Sequence, residues 1–227
     1  MRIVCVSDTH DRHSRMVIPE GDVLIHSGDL TMNGDSADVE RGFAWLSTLP
    51  HERVVFVPGN HDFAFAELPE IVTILAAKFP RVDVLVDRET TIGAYRAYGS
   101  PYQPWFHDWA FNFSPGARGE REAEARWAMI PDYTAILITH GPVRGILDRT
   151  IGGEHAGCPQ LRARIVELEQ LELHVCGHIH EAYGAEKHGA ILYVNASSCD
   201  AKYWPTQPPI VVELDAAGVR VSDLCGE

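Results

Sequence analysis

Five short apolar runs in this chain each end abruptly at polar, turn-forming or metal-ligating residues. Arg2-Ile3-Val4-Cys5-Val6-Ser7 gives way to Asp8-Thr9-His10, residues 23–26 to Ser27-Gly28-Asp29, and residues 54–57 to Pro58-Gly59-Asn60-His61-Asp62. Residues 135–138 give way to Thr139-His140, and residues 173–176 to Gly177-His178-Ile179-His180. Runs of this length, rich in β-branched residues, predict strands. Helical periodicity predicts helices over 36–48, 68–79, 119–129 and 159–170, the last with Pro159 at a first-turn position. After Gly177 the pattern becomes hairpin-like, with strands expected at 182–187, 190–194, 210–214 and 219–224 and a turn at Ala217-Gly218. Alternating strands and helices followed by antiparallel strands predict an α/β (α+β) fold in which two mixed β-sheets pack face to face with helices outside, a four-layer αββα sandwich.

Ligands of open α/β sheets collect at the carboxyl ends of the strands, so the five polar segments should converge on one place. Gly28-Asp29 and Thr139-His140 are weak signals alone, because Gly-Asp is a common turn pair and strand-end histidines are often structural. With 19 glycines and 12 histidines in 227 residues, Gly-His-x-His is expected by chance only about 0.05 times. Gly-Asn-His-Asp is rarer still. Asp, His and Asn together suit a pair of divalent cations roughly 3.5–4 Å apart, which clamp a phosphoryl group and generate a hydroxide nucleophile near neutral pH. A carboxylate must bridge the two ions, while neutral imidazoles and an amide oxygen add ligands without cancelling charge. Two carboxylates, Asp8 and Asp29, against two dications and one hydroxide leave a centre that attracts an anionic phosphate.

The order Asp8-Thr9-His10, Gly28-Asp29, Gly59-Asn60-His61-Asp62, His140, Gly177-His178-Ile179-His180 resembles the calcineurin-like metallophosphoesterase superfamily. The resemblance implies Asp8, His10, Asp29 and His180 on one metal and Asp29, Asn60, His140 and His178 on the other. It makes Asp29 the bridge, a bridging hydroxide the nucleophile, His61 the general acid, Asn60 a stabiliser of developing charge, and Asp62 a residue that orients or tunes the His61 imidazole. Residues 98–106, Thr139-His140-Gly141-Pro142, 145–148, Gly157-Cys158 with Leu161, and 193–197 resemble the MPPED-type subfamily over nearly the whole chain. That subfamily implies a phosphodiesterase acting on cyclic nucleotides or other small diesters; a phosphomonoesterase, including a protein phosphatase, is the alternative. A non-catalytic scaffold or nucleotide-binding protein would be expected to lack several ligands, and none is missing. The metal is expected to be manganese, with iron, zinc and cobalt also suited to such a site.

Composition bounds the rest. The chain is 45% hydrophobic and 22% charged, as expected for one domain over 1–227, and no linker, repeat or low-complexity tract interrupts it. A net charge of −13 argues against long nucleic acids as partners while leaving small phosphorylated molecules admissible. No segment is apolar enough to span a membrane, and Met1-Arg2 runs straight into the first strand, so a cytoplasmic location is expected. Oligomerisation is left open. Cys5, Cys158, Cys176, Cys199 and Cys225 are odd in number and lack a Cys-x-x-Cys pair, which argues against a disulfide framework or zinc finger. The triplets Asn112-Phe113-Ser114 and Asn195-Ala196-Ser197 match the glycosylation pattern but, with no signal peptide expected, are read as irrelevant. His155, in a loop with Gly152, Gly153 and Gly157, is a candidate substrate contact. Tyr102, Trp105, Phe106 and Trp109, within the irregular stretch 100–119, are expected to anchor that stretch or to offer a stacking face.

Overall fold

The computed structural model describes residues 1–222 apart from Pro69. Two six-stranded mixed sheets face each other, with helices on both outer sides. The first sheet is built from β1 (Arg2–Val6), β2 (Val23–His26), β3 (Arg53–Phe56) and β4 (Val82–Val84), all parallel. Antiparallel β11 (Ile210–Asp215) and β12 (Gly218–Val221) extend it, in the order β12-β11-β1-β2-β3-β4. The second runs β5 (Arg88–Ile92), β6 (Tyr95–Ser100), β7 (Ile136–Thr139), β8 (Leu173–Cys176), β10 (Ile191–Asn195) and β9 (Gly184–His188). Its β6, β7, β8 and β10 are parallel, with antiparallel strands at both edges.

Strand residues point alternately to the two faces, and here both faces are covered, so the strands read as continuous apolar runs. Ile3, Cys5, Ile25, Val55 and Val57 of the first sheet meet Ile136, Ile138, Val175, Leu192 and Val194 of the second in the central core. Their neighbours Val4, Val6, Leu24, Val54 and Phe56 turn outward onto α1 (Ser36–Thr48) and α3 (Ile71–Lys78). Leu137 and Tyr193 likewise pack beneath α4 (Ala117–Trp127) and α5 (Pro159–Glu167), where Trp127, Leu161 and Ile165 are buried. The four layers are thus α–β–β–α, as the sequence pattern predicts. At the carboxyl ends the two sheets are joined by a bridge between Ser7 and Ser197.

Several boundaries shift. The helix expected at 68–79 begins at Ile71 and is preceded by a single turn, α2 (Ala64–Glu67). The one expected at 119–129 starts at Ala117 and stops at Trp127, and the one expected at 159–170 ends at Glu167. The strand expected from 182 starts at Gly184, because His180–Ala182 form a 3₁₀ turn. Strands β4, β5 and β6 carry no recognised signal: β5 is a polar edge strand, and β6 contains Gly99, where a Cβ would lie 2.4 Å from Leu85 Cβ. Residues 223–224 of the last expected strand, and Cys225, lie outside the described residues. Cys5, Cys158, Cys176 and Cys199 are buried free thiols.

His174 on β8 is inaccessible to solvent, with Nε2 2.8 Å from Thr139 Oγ1, and burial holds its imidazole neutral with a pKa lowered to about 3. Between that value and the unfolded value near 6.5 the unfolded chain binds the extra proton, so stability falls as pH drops below 6.5. At pH 5 this one group is expected to cost about 2 kcal/mol. Urea unfolding at pH 7.5 and pH 5 should therefore show a smaller acid loss in His174→Leu than in the parent protein, and equal losses would contradict the assignment.

Candidate metal centre

Residues at the carboxyl ends of five strands meet between the sheets. Asp8 and His10 follow β1, Asp29 follows β2, Asn60, His61 and Asp62 follow β3, His140 follows β7, and His178 and His180 follow β8. All are buried or nearly so except His178, which is intermediate. Their ligand atoms form three overlapping sets, each within 4.8 Å: Asp8, His10 and His180; His10, Asp29 and His61; Asp29, His140 and His178. Asp29 is shared. Its Oδ1 accepts the His61 backbone N–H at 2.8 Å, while Oδ2 lies 3.5 Å from His140 Nε2, 3.8 Å from His10 Nε2 and 4.0 Å from His61 Nε2. Asn60 Oδ1 lies 2.9 Å from His140 Nε2.

Backbone carbonyls fix how the rings point. His140 Nδ1 meets Ser27 O at 2.9 Å, His180 Nδ1 meets Asp200 O at 3.0 Å, and His61 Nδ1 meets Met32 O at 2.7 Å. A carbonyl only accepts, so each Nδ1 carries a proton and each Nε2 is turned inward. His180 Nε2 then faces His10 Nε2 at 3.2 Å and Asp8 Oδ1 at 3.3 Å. Two nitrogen ligands roughly 2.1 Å from one ion lie about 3.0–3.4 Å apart in octahedral or tetrahedral geometry. The inward-turned nitrogens and oxygens therefore fit a shared cation, which removes the repulsion between their lone pairs.

Electrostatics agrees with the geometry. Burial works against the charge on Asp29, but His140, His61 and His10 outweigh it and hold the carboxyl far below the usual range; for Asp8 the decisive partner is His180. Burial would lower His140 and His180, yet Asp29 and Asp8 raise both to about 9. His10 and His178, where burial dominates, are lowered to about 4 and about 3. The protons on His140 and His180 balance the two carboxylates, and divalent cations would replace them with proton release.

The local backbone is built for this convergence. Asp8 (φ 52°), His10 (φ 42°), Asp29 (φ 53°) and His178 (φ 69°) all adopt left-handed conformations that non-glycine residues rarely take. Gly177 has an ordinary φ but no room: a Cβ there would lie 2.1 Å from Asp8 Oδ2 and from Ser7 Oγ. Asp8 in turn accepts the His178 N–H at 3.1 and 3.0 Å and the Ser197 hydroxyl at 2.9 Å.

One expectation is corrected. The His61 ring is held by Met32 O and not by Asp62, whose carboxylate accepts from Leu30 N, Thr31 N, Thr31 Oγ1 and Gly59 N at 2.8–3.3 Å. Asp62 therefore fixes the loops that carry Asp29 and Asn60. His155 pairs with Asp148, Nδ1 to Oδ1 at 2.6 Å, outside the three ligand sets. Of Tyr102, Trp105, Phe106 and Trp109, Tyr102 anchors the loop on Phe111 and Phe113, whereas Trp109 packs at a tilt against His61 at 3.9 Å and Phe106 approaches His178 at 5.8 Å. Ser197, Asn195, Thr31 and Tyr203 were assigned no role from sequence. Asn195 donates to Leu147 O and Ile179 O and accepts from Ser197, so the second glycosylation-like triplet is a buried brace of the site. A surface cavity of about 820 Å³ lies at the other end of the first sheet, where Arg53 pairs with Asp83.

Residues 1–182 match the calcineurin-like phosphoesterase family. The chain belongs to that family. It is 39% identical to metallophosphoesterase domain-containing protein 1 of Homo sapiens over 94% of this chain and 71% of that one. In structure it resembles a novel archaeal phosphodiesterase (14% identity, 98% and 99% of the two chains, TM-score 0.52). It also resembles a dimetal phosphatase from Danio rerio (10% identity, 95% and 93%, TM-score 0.57). These two structural likenesses show the shared fold. As a calcineurin-like phosphoesterase the chain is a metal-dependent hydrolase of phosphoric esters, and the clustered Asp, His and Asn donors fit the divalent ions the family uses. Among the described residues no helix is long and apolar enough to cross a membrane.

Gly177→Ala should push Asp8 out of place and weaken metal binding at least tenfold, as measured by elemental analysis after dialysis against a competing chelator. Gly152→Ala, whose new Cβ would meet only Thr150 Oγ1 at 3.7 Å, serves as the glycine control. Full metal retention in Gly177→Ala would show that Asp8 is not needed as a ligand.

Proposed function

We propose that this phosphoesterase is a phosphodiesterase of small diesters, cyclic nucleotides among them, with manganese as its working metal. The observation that supports a diester is the charge around the two carboxylates: the strongest electrostatic partners of Asp8 and Asp29 are all imidazoles, with neither Lys nor Arg among them. A monoester brings a charge of about −1.5 to −2 at neutral pH and is commonly clamped by arginine, whereas a diester brings a single negative charge. A centre whose two carboxylates are balanced chiefly by imidazoles suits the diester.

In this reading Asp8, His10, Asp29 and His180 hold one divalent ion and Asp29, Asn60, His140 and His178 the other. When bound, the ions supply positive charge to the phosphoryl oxygens and acidify a water near neutral pH. The chain supplies orientation and a proton. The carbonyls of Ser27 and Asp200 keep the His140 and His180 lone pairs turned inward. Asn60 presents an amide oxygen beside His140, where it coordinates without adding negative charge. His61, its Nδ1 tied to Met32 O and one face covered by Trp109, holds a proton at Nε2 for the departing ester oxygen.

The Mn²⁺-reconstituted protein should hydrolyse bis-p-nitrophenyl phosphate faster than p-nitrophenyl phosphate, and Asp29→Ala should lose both metals and the activity together. Faster monoester turnover would replace the diester reading with a phosphatase, and Asp29→Ala retaining two metals would remove its bridging role. His61→Ala should keep its metals yet lose about 10²–10⁴-fold in kcat for a poor leaving group, and much less for nitrophenolate. Equal losses for both leaving groups would exclude the general-acid role.

A further inference from the structure

Tyr203 is the most conspicuous group near the centre that neither ligation nor proton transfer uses. It sits in the turn after β10 with φ 61°, a left-handed conformation that is costly for a bulky side chain and persists only where the surroundings dictate it. The turn is firmly tied. Tyr203 N–H donates to Asp200 O and Asp200 N–H to Trp204 O, both at 2.8 Å, while the Asp200 carboxylate accepts from Lys202 N and Trp204 N. The same Asp200 carbonyl holds His180 Nδ1. The Tyr203 ring is thereby set nearly perpendicular to His10 at 4.8 Å and His180 at 5.3 Å, with His61 at 6.3 Å. It is nonetheless 37% exposed.

A second exposed aromatic stands at the opposite ligand group. Phe106, 49% exposed, meets His178 at 88°. Its loop is clasped by Asn112, which accepts from Phe106 N at 3.3 Å and donates to the carbonyls of Phe106 and His107 at 3.1 and 2.8 Å. Two half-exposed aromatic rings on separate, hydrogen-bonded loops thus flank the two ligand groups on which a phosphoryl group would rest. Aromatic rings held this way, part of each left open to solvent, can contact a flat unsaturated partner more favourably than a saturated one of similar size.

We propose that Tyr203 and Phe106 form an aromatic subsite that selects phosphoesters carrying a flat ring, of aryl or nucleobase type, over alkyl esters. The proposal rests on the phosphoester reading and adds the chemistry of the organic group. Its test is binding, read independently of which ester is hydrolysed. Calorimetric titration of the Mn²⁺-loaded protein with phenylphosphonate and ethylphosphonate should show tighter binding of the phenyl compound. Tyr203→Leu and, on the other loop, Phe106→Leu should each reduce the phenyl-to-ethyl affinity ratio about tenfold with metal content retained. Tyr203→Phe should restore the ratio. No phenyl preference in the parent protein, an unchanged ratio in both leucine variants, or equal loss of both affinities together with loss of metal would overturn the subsite. A monoester preference in the hydrolysis assay would instead overturn the diester reading and leave this ratio to be judged alone.

Discussion

A buried carboxylate shared between two sets of imidazoles is the constraint on which the rest of the structure depends. Asp29 is almost wholly removed from water, where an isolated charge is strongly penalised, yet its neighbours keep it ionised. Oδ1 is held by a backbone N–H from the β3 loop and Oδ2 faces His140 from the second sheet and His10 from the first. Each sheet therefore supplies part of what makes the charge tolerable. The bridge between Ser7 and Ser197 keeps those parts in register, and Ser197 itself donates to Asp8.

The polar centre has to be fixed by something stiffer than its own contacts, and the apolar layers beneath it do this. Strands buried on both faces, with Ile3 and Cys5 toward one core and Val4 and Val6 toward the other, leave the chain little freedom before it reaches Asp8. The strained residues come directly after such strands. Asp8, His10, Asp29 and His178 lie within four residues of a strand end, and each such conformation costs about 1–3 kcal/mol. Strain of that size survives where the flanking structure is over-determined, which explains why the motifs follow the most buried strands.

This coupling also explains what was legible in the sequence. Apolar runs and the residues after them reveal β1, β2, β3, β7 and β8, and with them the donors Asp8, His10, Asp29, Asn60, His140, His178 and His180. Edge strands such as β5 are defined by a partner and not by apolarity, so Arg88–Ile92 gives no strand signal in the sequence. Residues that act through hydrogen bonds to backbone are harder still. Met32 contributes only its carbonyl to His61, and any residue type has one. Asp62 is legible through its motif, but adjacency to His61 in sequence says nothing of which N–H groups surround its carboxylate. Ser197 and Asn195 were hidden inside a glycosylation-like triplet, where only their burial reveals what they hold.

Net charge illustrates a further separation between global and local properties. A protein of net charge −13 repels anions at long range, yet that repulsion is screened within about 8 Å at physiological ionic strength. Some of the acidic groups are paired at the surface, as in Arg118–Glu122 and Arg220–Asp215. At the centre the balance differs: two carboxylates are opposed by His10, His61, His140, His178 and His180. Histidine is the residue that makes this possible. An imidazole carries a proton when it must balance a buried carboxylate and gives that proton up when a cation takes over, so the same side chains limit the change in charge between the two states. Lysine or arginine there would remain charged and compete with the cation. The scarcity of fixed positive charge around Asp8 and Asp29 is therefore a condition for metal binding.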